Sequence, residues 1–395
     1  MAIHFEHIVI GKGLVGSAAA KYLSAASRRV AVIGPDEPNP NDESVVYASH
    51  YDQARVQRII GTDEVWTRLN LDSVNQYENI QAQSGVFFHG SVGCLYVNPY
   101  GKDHYLENAD ALGQKFNQSH RTYLNAQQIS DDFNCFQFPD QAQGLFESSP
   151  AGFINPRQLI AAQLNIFRNN QGEIYTDTVI GLAFSNNLFV VQTQEGNVYT
   201  SSSVLLATGS FVNYLSLIPQ PLQLKTKSEV VLLVKVNEAD ARKMSQMPSL
   251  LYEIDEDETE GIYLIQPVLY PDGNYYLKIG CNTPDDRYFE EIEQVQHWFR
   301  EARGEAFAPR LIKALQAIMP QLAVGDVITK KCIISRTAHG RPYIGQTTQR
   351  GLFVAGGCNG YSAMCSDAIG NVAAHLILKG HIPQEYLANS FELIY

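Results

Sequence analysis

Apolar and polar positions near the start of the chain follow first a strand pattern and then a helix pattern. Ile8, Val9 and Ile10 form a short apolar run, which is typical of a buried parallel strand. The segment Ser17–Ala26 is rich in Ala and Leu and predicts a helix, and the apolar run Val30–Ile33 predicts a second strand. This order of elements predicts a parallel βαβ unit at the N-terminus.

The remaining patterns predict a mixture of helices and strands. Helices are predicted over Trp66–Ser84, Pro156–Asn169, Phe289–Ile318 and Gly360–Leu378. Strands are predicted within 86–97 and over Ile174–Val179, Leu188–Gln194, Asn197–Thr200, Val204–Gly209, Val230–Val236, Tyr275–Ile279 and Val354–Gly357. Because residues 216–325 hold more strand-type runs than their surroundings, we expect a β-rich second domain inserted between parts of the first. The expected fold class is α/β, with two domains.

Three glycines follow the first strand with the spacing G-x-G-x-x-G. Gly11 permits a tight turn, Gly13 lets the backbone approach a pyrophosphate, and Gly16 lets the next helix lie close to the sheet. The helix would point its N-terminal N–H groups and its dipole at the phosphates. The loop therefore predicts a dinucleotide site that includes Leu14 and Val15. The alternative is a glycine-rich turn without chemical consequence.

The end of the second strand departs from the usual dinucleotide pattern. Gly34 stands where an acidic residue usually holds the ribose hydroxyls. Asp36 and Glu37 follow and could reach the ribose instead. The alternative is that both are solvated loop charges.

Composition limits the classes of function. The chain has 395 residues, of which 45% are hydrophobic and 18% charged, and its net charge is −12. This charge argues against nucleic acid or an anionic membrane as a partner. The six cysteines have no C-x-x-C pair and no zinc-ligand spacing, so we expect no metal site. With no apolar run long enough to span a bilayer and no leader-like start, a cytoplasmic location is expected.

Arg55 and Arg58 are candidate anion-binding residues. Their i, i+3 spacing places them on one face if the segment forms a helical turn. Two arginines there could bind an anion with bidentate hydrogen bonds. The alternative is a solvated helix face.

Four segments carry a resemblance to a known family. They are the N-terminal glycine fingerprint, Ser49-His-Tyr-Asp-Gln-Ala-Arg-Val-Gln-Arg, Leu277-Lys-Ile-Gly, and the run from Lys331-Cys-Ile-Ile to the helix after Gly360. The chain resembles the D-amino-acid oxidase and glycine oxidase superfamily of FAD-dependent oxidoreductases. It is most similar to the branch of monomeric sarcosine oxidase and N-methyltryptophan oxidase.

The resemblance implies a Rossmann-like FAD-binding domain of the glutathione-reductase type, with an inserted β-sheet substrate domain. The FAD-binding domain is expected over residues 1–85, 151–215 and 326–395. The substrate domain is expected over residues 86–150 and 216–325.

The resemblance also implies roles for several side chains around the flavin. Lys278 aligns with a lysine that contacts flavin N5 through water and promotes reaction with oxygen, where a cation would stabilise the negative charge that develops on O₂. Arg58 aligns with the arginine that holds the substrate carboxylate, Arg55 with one near the flavin, and Tyr263 with a tyrosine that gates the substrate. The alternative for Lys278 is a solvent-exposed strand lysine.

Cys332 aligns with the cysteine that forms a thioether to the flavin in this branch. Lone cysteines are more often small packed hydrophobes, and denaturation in acid followed by filtration would separate the two readings. The other positions expected to contact FAD are Ser49, Val179, Ala207, Thr208, Gly209, Arg336, Gly357, Asn359, Gly360, Tyr361, Ser362 and Met364.

Several positions depart from the family pattern, among them Tyr361 and Asn359. Met364 stands where the family has a lysine that helps to hold the substrate carboxylate, and Asn282 stands where it has a histidine near the substrate. The substrate could therefore lack an α-carboxylate or hold it by another group.

The expected activity is oxidation of a small amine or amino acid, with a secondary, N-methylated or cyclic amine favoured. Hydride would pass to flavin N5, O₂ would reoxidise the flavin to give H₂O₂, and the imine product would hydrolyse. The alternatives are a dehydrogenase with another electron acceptor and a flavin-binding protein without oxidase turnover. We expect a monomer or a small homo-oligomer.

Overall fold

The chain forms two large sheets, and helices pack against each of them. A computed structural model describes residues 3–38, 51–101, 104–214, 216–256 and 259–395. The strands in these ranges are β1 (Ile3–Ile10), β2 (Val30–Ile33), β3 (Arg55–Gln57), β4 (His89–Gly90), β5 (Cys94–Asn98), β6 (His120–Tyr123), β7 (Gln143–Glu147), β8 (Gly152–Ile154), β9 (Glu173–Tyr175), β10 (Val179–Ser185), β11 (Leu188–Thr193), β12 (Val198–Leu206), β13 (Leu224–Val236), β14 (Ser249–Glu256), β15 (Thr259–Leu269), β16 (Tyr275–Asn282), β17 (Tyr288–Phe289), β18 (Val327–Thr337), β19 (Tyr343–Gln346) and β20 (Leu352–Gly356). The helices in the same ranges are α1 (Leu14–Ala26), α2 (Glu64–Ser84), α3 (His104–Lys115), α4 (Ala126–Asp132), α5 (Pro156–Asn169), α6 (Glu238–Lys243), α7 (Ile292–Arg300), α8 (Ala308–Ile318) and α9 (Ser366–Lys379).

The first sheet contains the predicted βαβ unit. Its strand order is β10–β11–β12–β1–β2–β9, with β20 beside β12 and β19 beside β20. β1 runs parallel to both β2 and β12, so that Ile8 lies opposite Ala31 and Val204. All three of these side chains are fully buried, which explains why the parallel strands read as continuous apolar runs. α1, α5 and α9 pack together against this sheet.

The second sheet is mostly antiparallel and lies over the loops of the first. Its order is β17–β13–β16–β15–β14–β5–β7–β6, and β18 pairs with β13. We call this nine-stranded sheet the roof sheet. Its core includes Leu232, Leu264 and Leu277, which are all fully buried. A small third sheet has the order β3–β8–β4. The expectation of an α/β chain with a large β-rich part is confirmed.

Some local predictions were wrong for reasons that the local sequence does not contain. Arg55 lies in β3 and not in a helical turn, because it pairs with Ile154 of β8. The predicted helix over 289–318 is divided into β17, α7, a 3₁₀ segment and α8. Pro309 at the start of α8 is accommodated because the first turn of a helix needs no N–H donor there.

Two further boundaries differ from the prediction. The last helix begins at Ser366 and not at Gly360, because Asn359 and Gly360 have φ angles of +48° and +80° and form a turn. The two strands predicted over 197–209 are one strand, β12, which ends at Leu206.

The first sheet sets the position of the site. β1, β2, β12 and β20 are parallel, so their carboxyl ends lie at one edge, where α/β sheets usually bind ligands. Within the described part of the chain, no helix has the length and apolarity to cross a bilayer.

Candidate functional site

A cavity lies at the carboxyl ends of the parallel strands and extends beneath the roof sheet. On the side of the first sheet it is lined by loop residues that follow four strands: Gly11, Lys12 and Gly13 after β1, Gly34 and Pro35 after β2, Ala207, Thr208, Gly209 and Ser210 after β12, and Gly357 and Cys358 after β20. On the side of the roof sheet it is lined by Glu229, Leu251, Tyr263, Cys332, Ile333 and Ile334. The cavity therefore joins the predicted nucleotide loop to the predicted substrate domain.

The glycine loop is closely packed against its neighbours. Gly11 has φ +100°, and a Cβ atom there would lie 2.5 Å from the carbonyl oxygen of Ala207. A Cβ atom on Gly16 would lie 1.8 Å from the carbonyl oxygen of Gly11. Gly13 is the N-cap of α1 and provides no side-chain hydrogen bond to the helix. The first N–H groups of α1 are therefore available to an anion in the cavity.

Close packing of the turn after β1 explains why a glycine, and not an acidic residue, follows β2. A Cβ atom on Gly34 would lie 2.9 Å from the backbone nitrogen of Lys12, so the turn after β1 packs directly on this glycine. Asp36 forms an ion pair with the Lys12 ammonium, and its side chain is 75% exposed. Asp36 is not among the residues that line the cavity, and its contact with a ribose stays a prediction.

A buried hydroxyl also faces the cavity. Thr208 Oγ1 is buried and has no hydrogen-bond partner among the described residues. A buried polar group without a partner is costly, so this atom fits a site that a polar ligand completes. Together with the glycine loop and the uncapped N-terminus of α1, it fits FAD.

The structure brings most of the predicted positions together. The cavity is lined by Gly11, Gly13, Leu14, Val15, Arg55, Arg58, Val179, Ala207, Thr208, Gly209, Tyr263, Cys332, Gly357, Gly360, Tyr361, Ser362 and Met364. Gly16, Asp36, Lys278, Arg336 and Asn359 are not among the lining residues, and Ser49 lies outside the described residues. Asn359 shapes the loop, since its Nδ2 donates a hydrogen bond of 2.9 Å to the carbonyl oxygen of Gly357.

Arg58 is a buried cation held by aromatic rings. It is 4% exposed, and its guanidinium carbon lies 5.6 Å from the ring centroid of Tyr96 and 5.3 Å from that of Tyr361. Its Nε is buried without a hydrogen-bond partner among the described residues. The two rings stabilise the positive charge through cation–π interactions. The guanidinium can therefore donate hydrogen bonds to an anion in the cavity.

Lys278 is fully buried behind the cavity wall. Its Nζ donates hydrogen bonds to Asp52 Oδ2 at 2.6 Å and to the carbonyl oxygen of Ala54 at 3.0 Å. Arg55 also pairs with Asp52 Oδ2, and the hydroxyl of Tyr270 donates to Asp52 Oδ1 at 2.7 Å. We call Asp52, Arg55, Lys278 and Tyr270 the Asp52 cluster. It contains two cations and one carboxylate, and Arg55 connects it to the cavity.

The charges of the Asp52 cluster shift its protonation equilibria. Burial would raise the pKa of Asp52, but the charges of Lys278 and Arg55 hold that pKa well below its usual range. Burial and the nearby Arg55 charge lower the pKa of Lys278 to about 8, against the opposite effect of Asp52. When Lys278 is protonated, the cluster places a net positive charge beside the cavity. The role of Lys278 toward oxygen stays a prediction. Lys278 does not line the cavity, so its charge acts on an occupant through the cavity wall.

The side chain of Tyr263 lies across the neighbouring strand of the roof sheet, over a glycine. A Cβ atom on Gly280 would lie 2.5 Å from both Cζ and the hydroxyl oxygen of Tyr263, so the ring lies directly over β16.

Cys332 also lines the cavity, and burial raises the pKa of its thiol to about 12, with the charge of Glu229 acting in the same direction. Its thioether to the flavin stays a prediction.

Sequence reasoning missed Glu229, Leu251 and the second cavity-facing cysteine, Cys358. Glu229 was visible as a lone acidic residue directly before the apolar run Val230–Val236. The pattern gave no reason to place its side chain at the site, because that placement depends on the pairing of β13 with β18.

Comparisons with known proteins agree with this geometry. A sequence model of a family described as FAD dependent oxidoreductase, or DAO, matches residues 6–376. N-methyl-L-tryptophan oxidase from Yersinia pestis (strain Pestoides F) is 26% identical over 220 residues, which cover 53% of this chain and 55% of that protein. The chain thus spans about half the length of the curated relatives it matches.

Solved structures share the fold over the whole chain. The Tyr258Phe mutant of NikD, described as an unusual amino acid oxidase essential for nikkomycin biosynthesis, has a TM-score of 0.79 and 16% identity, and the match covers 100% of this chain and 98% of NikD. Glycine oxidase from Geobacillus kaustophilus has a TM-score of 0.74 and 16% identity, with 99% of both chains covered. At these identities the likeness shows the fold alone.

Proposed function

This chain belongs to the family of FAD-dependent oxidoreductases, and from that premise we propose that it is an oxidase of a small amino acid with a secondary amine. The cofactor of this family is FAD, and the cavity fits it. The proposal concerns the substrate class and the electron acceptor. The relative that oxidises N-methyl-L-tryptophan supports a secondary amine.

One observation carries the choice of an amino acid over a simple amine. Arg58 is a buried guanidinium that lines the cavity and forms no ion pair with a carboxylate among the described residues. The buried Glu147 carboxylate interacts with its charge only at a distance, because it accepts its hydrogen bonds from Tyr96 and from backbone N–H groups. The other cations that line the cavity differ from it, because Lys12 pairs with Asp36 and Arg55 with Asp52. A buried charge without a partner is costly unless a ligand supplies one. A substrate carboxylate is the partner that planar, bidentate guanidinium donors prefer.

The residues of the chain position and polarise the substrate. When FAD is bound, it supplies the acceptor for the hydride that leaves the carbon next to the amine nitrogen. Arg58 would fix the carboxylate, while Tyr263 and Leu251 of the roof sheet would cover the substrate and exclude water. The Asp52 cluster would keep positive charge beside the cavity, where it stabilises negative charge on a reacting partner.

The proposal is tested by reduction of the bound FAD without oxygen. We expect that members of a panel of secondary amino acids, such as N-methyl amino acids and L-proline, bleach the yellow absorbance of the purified holoenzyme. After the excess substrate is removed without oxygen, admission of air should restore the colour with one equivalent of H₂O₂ per FAD. Bleaching without recovery in air would identify a dehydrogenase, and no bleaching with any amine would contradict an amine-oxidising function.

Replacement of Lys278 by Met should separate the two half-reactions. Because Asp52 keeps its bonds to Arg55 and Tyr270, we expect the variant to fold and to lose mainly one positive charge. Reoxidation by O₂ should slow on the order of 10²-fold, the usual effect of removing one group that stabilises developing negative charge. Stopped-flow measurement of both half-reactions checks this, with Lys243→Met as the control because Lys243 is 76% exposed on the surface. Equal slowing of reduction and reoxidation would contradict the proposed role of Lys278.

A further inference from the structure

Glu229 is a buried carboxylate that faces the cavity from the roof sheet. It is 4% exposed, lies on β13 and is paired in register with Cys332 of β18. Acidic side chains are rarely this buried unless they are paired. None of the roles expected for the other cavity residues explains why a buried acidic side chain lies here.

The cation nearest to Glu229 is already shared. Lys227 Nζ lies 3.2 Å from Glu229 Oε2, but it donates hydrogen bonds to Asn282 Oδ1 at 2.9 Å and to Asp286 Oδ2. One ammonium group thus serves two carboxylates, Glu229 and Asp286. Glu229 Oε2 is buried and has no hydrogen bond of good geometry among the described residues. Glu229 therefore retains the capacity to accept a hydrogen bond from an occupant of the cavity.

Glu229 and Arg58 make the lining of the cavity bipolar. Arg58 lies against Tyr96 of β5, and Glu229 lies on β13, which is four strands away from β5 in the roof sheet. Tyr263 of β15 lies between them, and its ring extends over Gly280 of β16 toward β13. Both groups line the same cavity, so its occupants meet a buried cation toward β5 and a buried acidic group toward β13. A zwitterion has the charge distribution that complements this lining.

We propose that Glu229 binds the amine nitrogen of the substrate by accepting an N–H hydrogen bond, so that the cavity selects an amino group together with a carboxylate. This inference rests on the proposed function and adds the recognition of the amine to it. No bond is made or broken by Glu229 in this role. Glu229 is a specificity-determining residue, and its removal should change which ligand binds more than whether FAD binds.

Two ligands of similar size isolate the amine. 2-Aminoisobutyrate and 2-hydroxyisobutyrate share a carboxylate and two methyl groups, and neither carries hydrogen on Cα, so neither can be oxidised at that carbon. Their binding to the holoenzyme can be followed by the absorbance change of FAD and by calorimetry. We expect Glu229→Gln to weaken binding of the amino ligand at least about tenfold, as for loss of a charge-assisted hydrogen bond, and to change that of the hydroxy ligand by less than about twofold.

A matched variant shows whether an effect is specific to Glu229. Glu238→Gln is the matched variant, because Glu238 is a surface residue whose side chain is 60% exposed, and it should leave both affinities unchanged. Equal weakening of both ligands by Glu229→Gln, or no weakening of either, would overturn the assignment.

The unmodified holoenzyme provides a test that needs no substitution. It should bind the amino ligand more tightly than the hydroxy ligand, and equal affinity, or no binding of the amino ligand, overturns the assignment even if the variant does not fold. Failure of the proposed function would appear separately, as the absence of FAD reduction by any amine.

Discussion

Gly11→Ala is expected to yield a protein that folds but retains little FAD. The added Cβ would lie 2.5 Å from the carbonyl oxygen of Ala207, which belongs to backbone and cannot rotate away. The residue would also hold φ +100°, where a side chain adds about 1–3 kcal/mol of strain. Relief of both requires the glycine loop to move away from the phosphate position. We expect FAD affinity to fall on the order of 10²-fold or more, measured from the flavin content of the purified protein and by titration with FAD.

The control for Gly11→Ala also places a side chain at a positive φ angle, but without the collision. Gly85 ends α2 with φ +70°, and a Cβ there would meet no atom within 4 Å. Gly85→Ala should lower the melting temperature slightly and leave the flavin content unchanged. Full FAD occupancy in Gly11→Ala would mean that the cavity beside this loop is not where FAD binds.

The parts of the fold that were predictable are those fixed by neighbours in sequence. The glycine loop follows β1 and precedes α1, so spacing alone places Gly11 and Gly13 at the cavity. Arg55 and Arg58 both line the cavity. Arg55 lies in a strand and not in a helical turn, because β3 exists only through its pairing with β8, about a hundred residues further on. Local periodicity cannot report such a pairing.

Side-chain partners across the domains were beyond local reasoning. Lys278 meets Asp52, which is 226 residues away in sequence. The alternative that placed Lys278 in solvent is wrong, since it is fully buried. The carboxylate that neutralises part of its charge could not be assigned from an isolated strand pattern. Glu229 was missed for the same reason, because the strand pairing of β13 decides which groups surround it.

The buried charged groups that line the cavity indicate which class of ligand it binds. Met364 lines the cavity where relatives were expected to carry a lysine, so any substrate carboxylate depends on Arg58. Glu229 adds a buried acidic group beneath the roof sheet, and burial raises its pKa to about 7 against the opposite effect of Lys227. A cavity that relied on apolar contacts alone would contain neither buried charge, because each is costly without a partner.

Arg58→Met should therefore remove most of the preference for a carboxylate. Methionine is similar in length and apolar, so the space beside Tyr96 and Tyr361 remains filled. Loss of one partner of a buried, charge-assisted pair costs about 2–5 kcal/mol. We expect kcat/KM for an amino acid substrate to fall roughly 10²–10³-fold. For the same amine without its carboxylate, such as pyrrolidine compared with L-proline, the change should be small.

The comparison of the two substrates separates recognition from folding. Arg68→Met is the matched control, since Arg68 also stacks on an aromatic ring, at 5.4 Å from the centroid of Phe116, and does not line the cavity. If Arg58→Met lowered kcat/KM equally for both substrates, Arg58 would be a packing residue. If the unmodified enzyme preferred the amine without a carboxylate, the guanidinium would have to serve another anion. Because the cavity lining has the uncharged Met364 at that position, no cation there can compensate, and the loss should lie toward the larger end of the expected range.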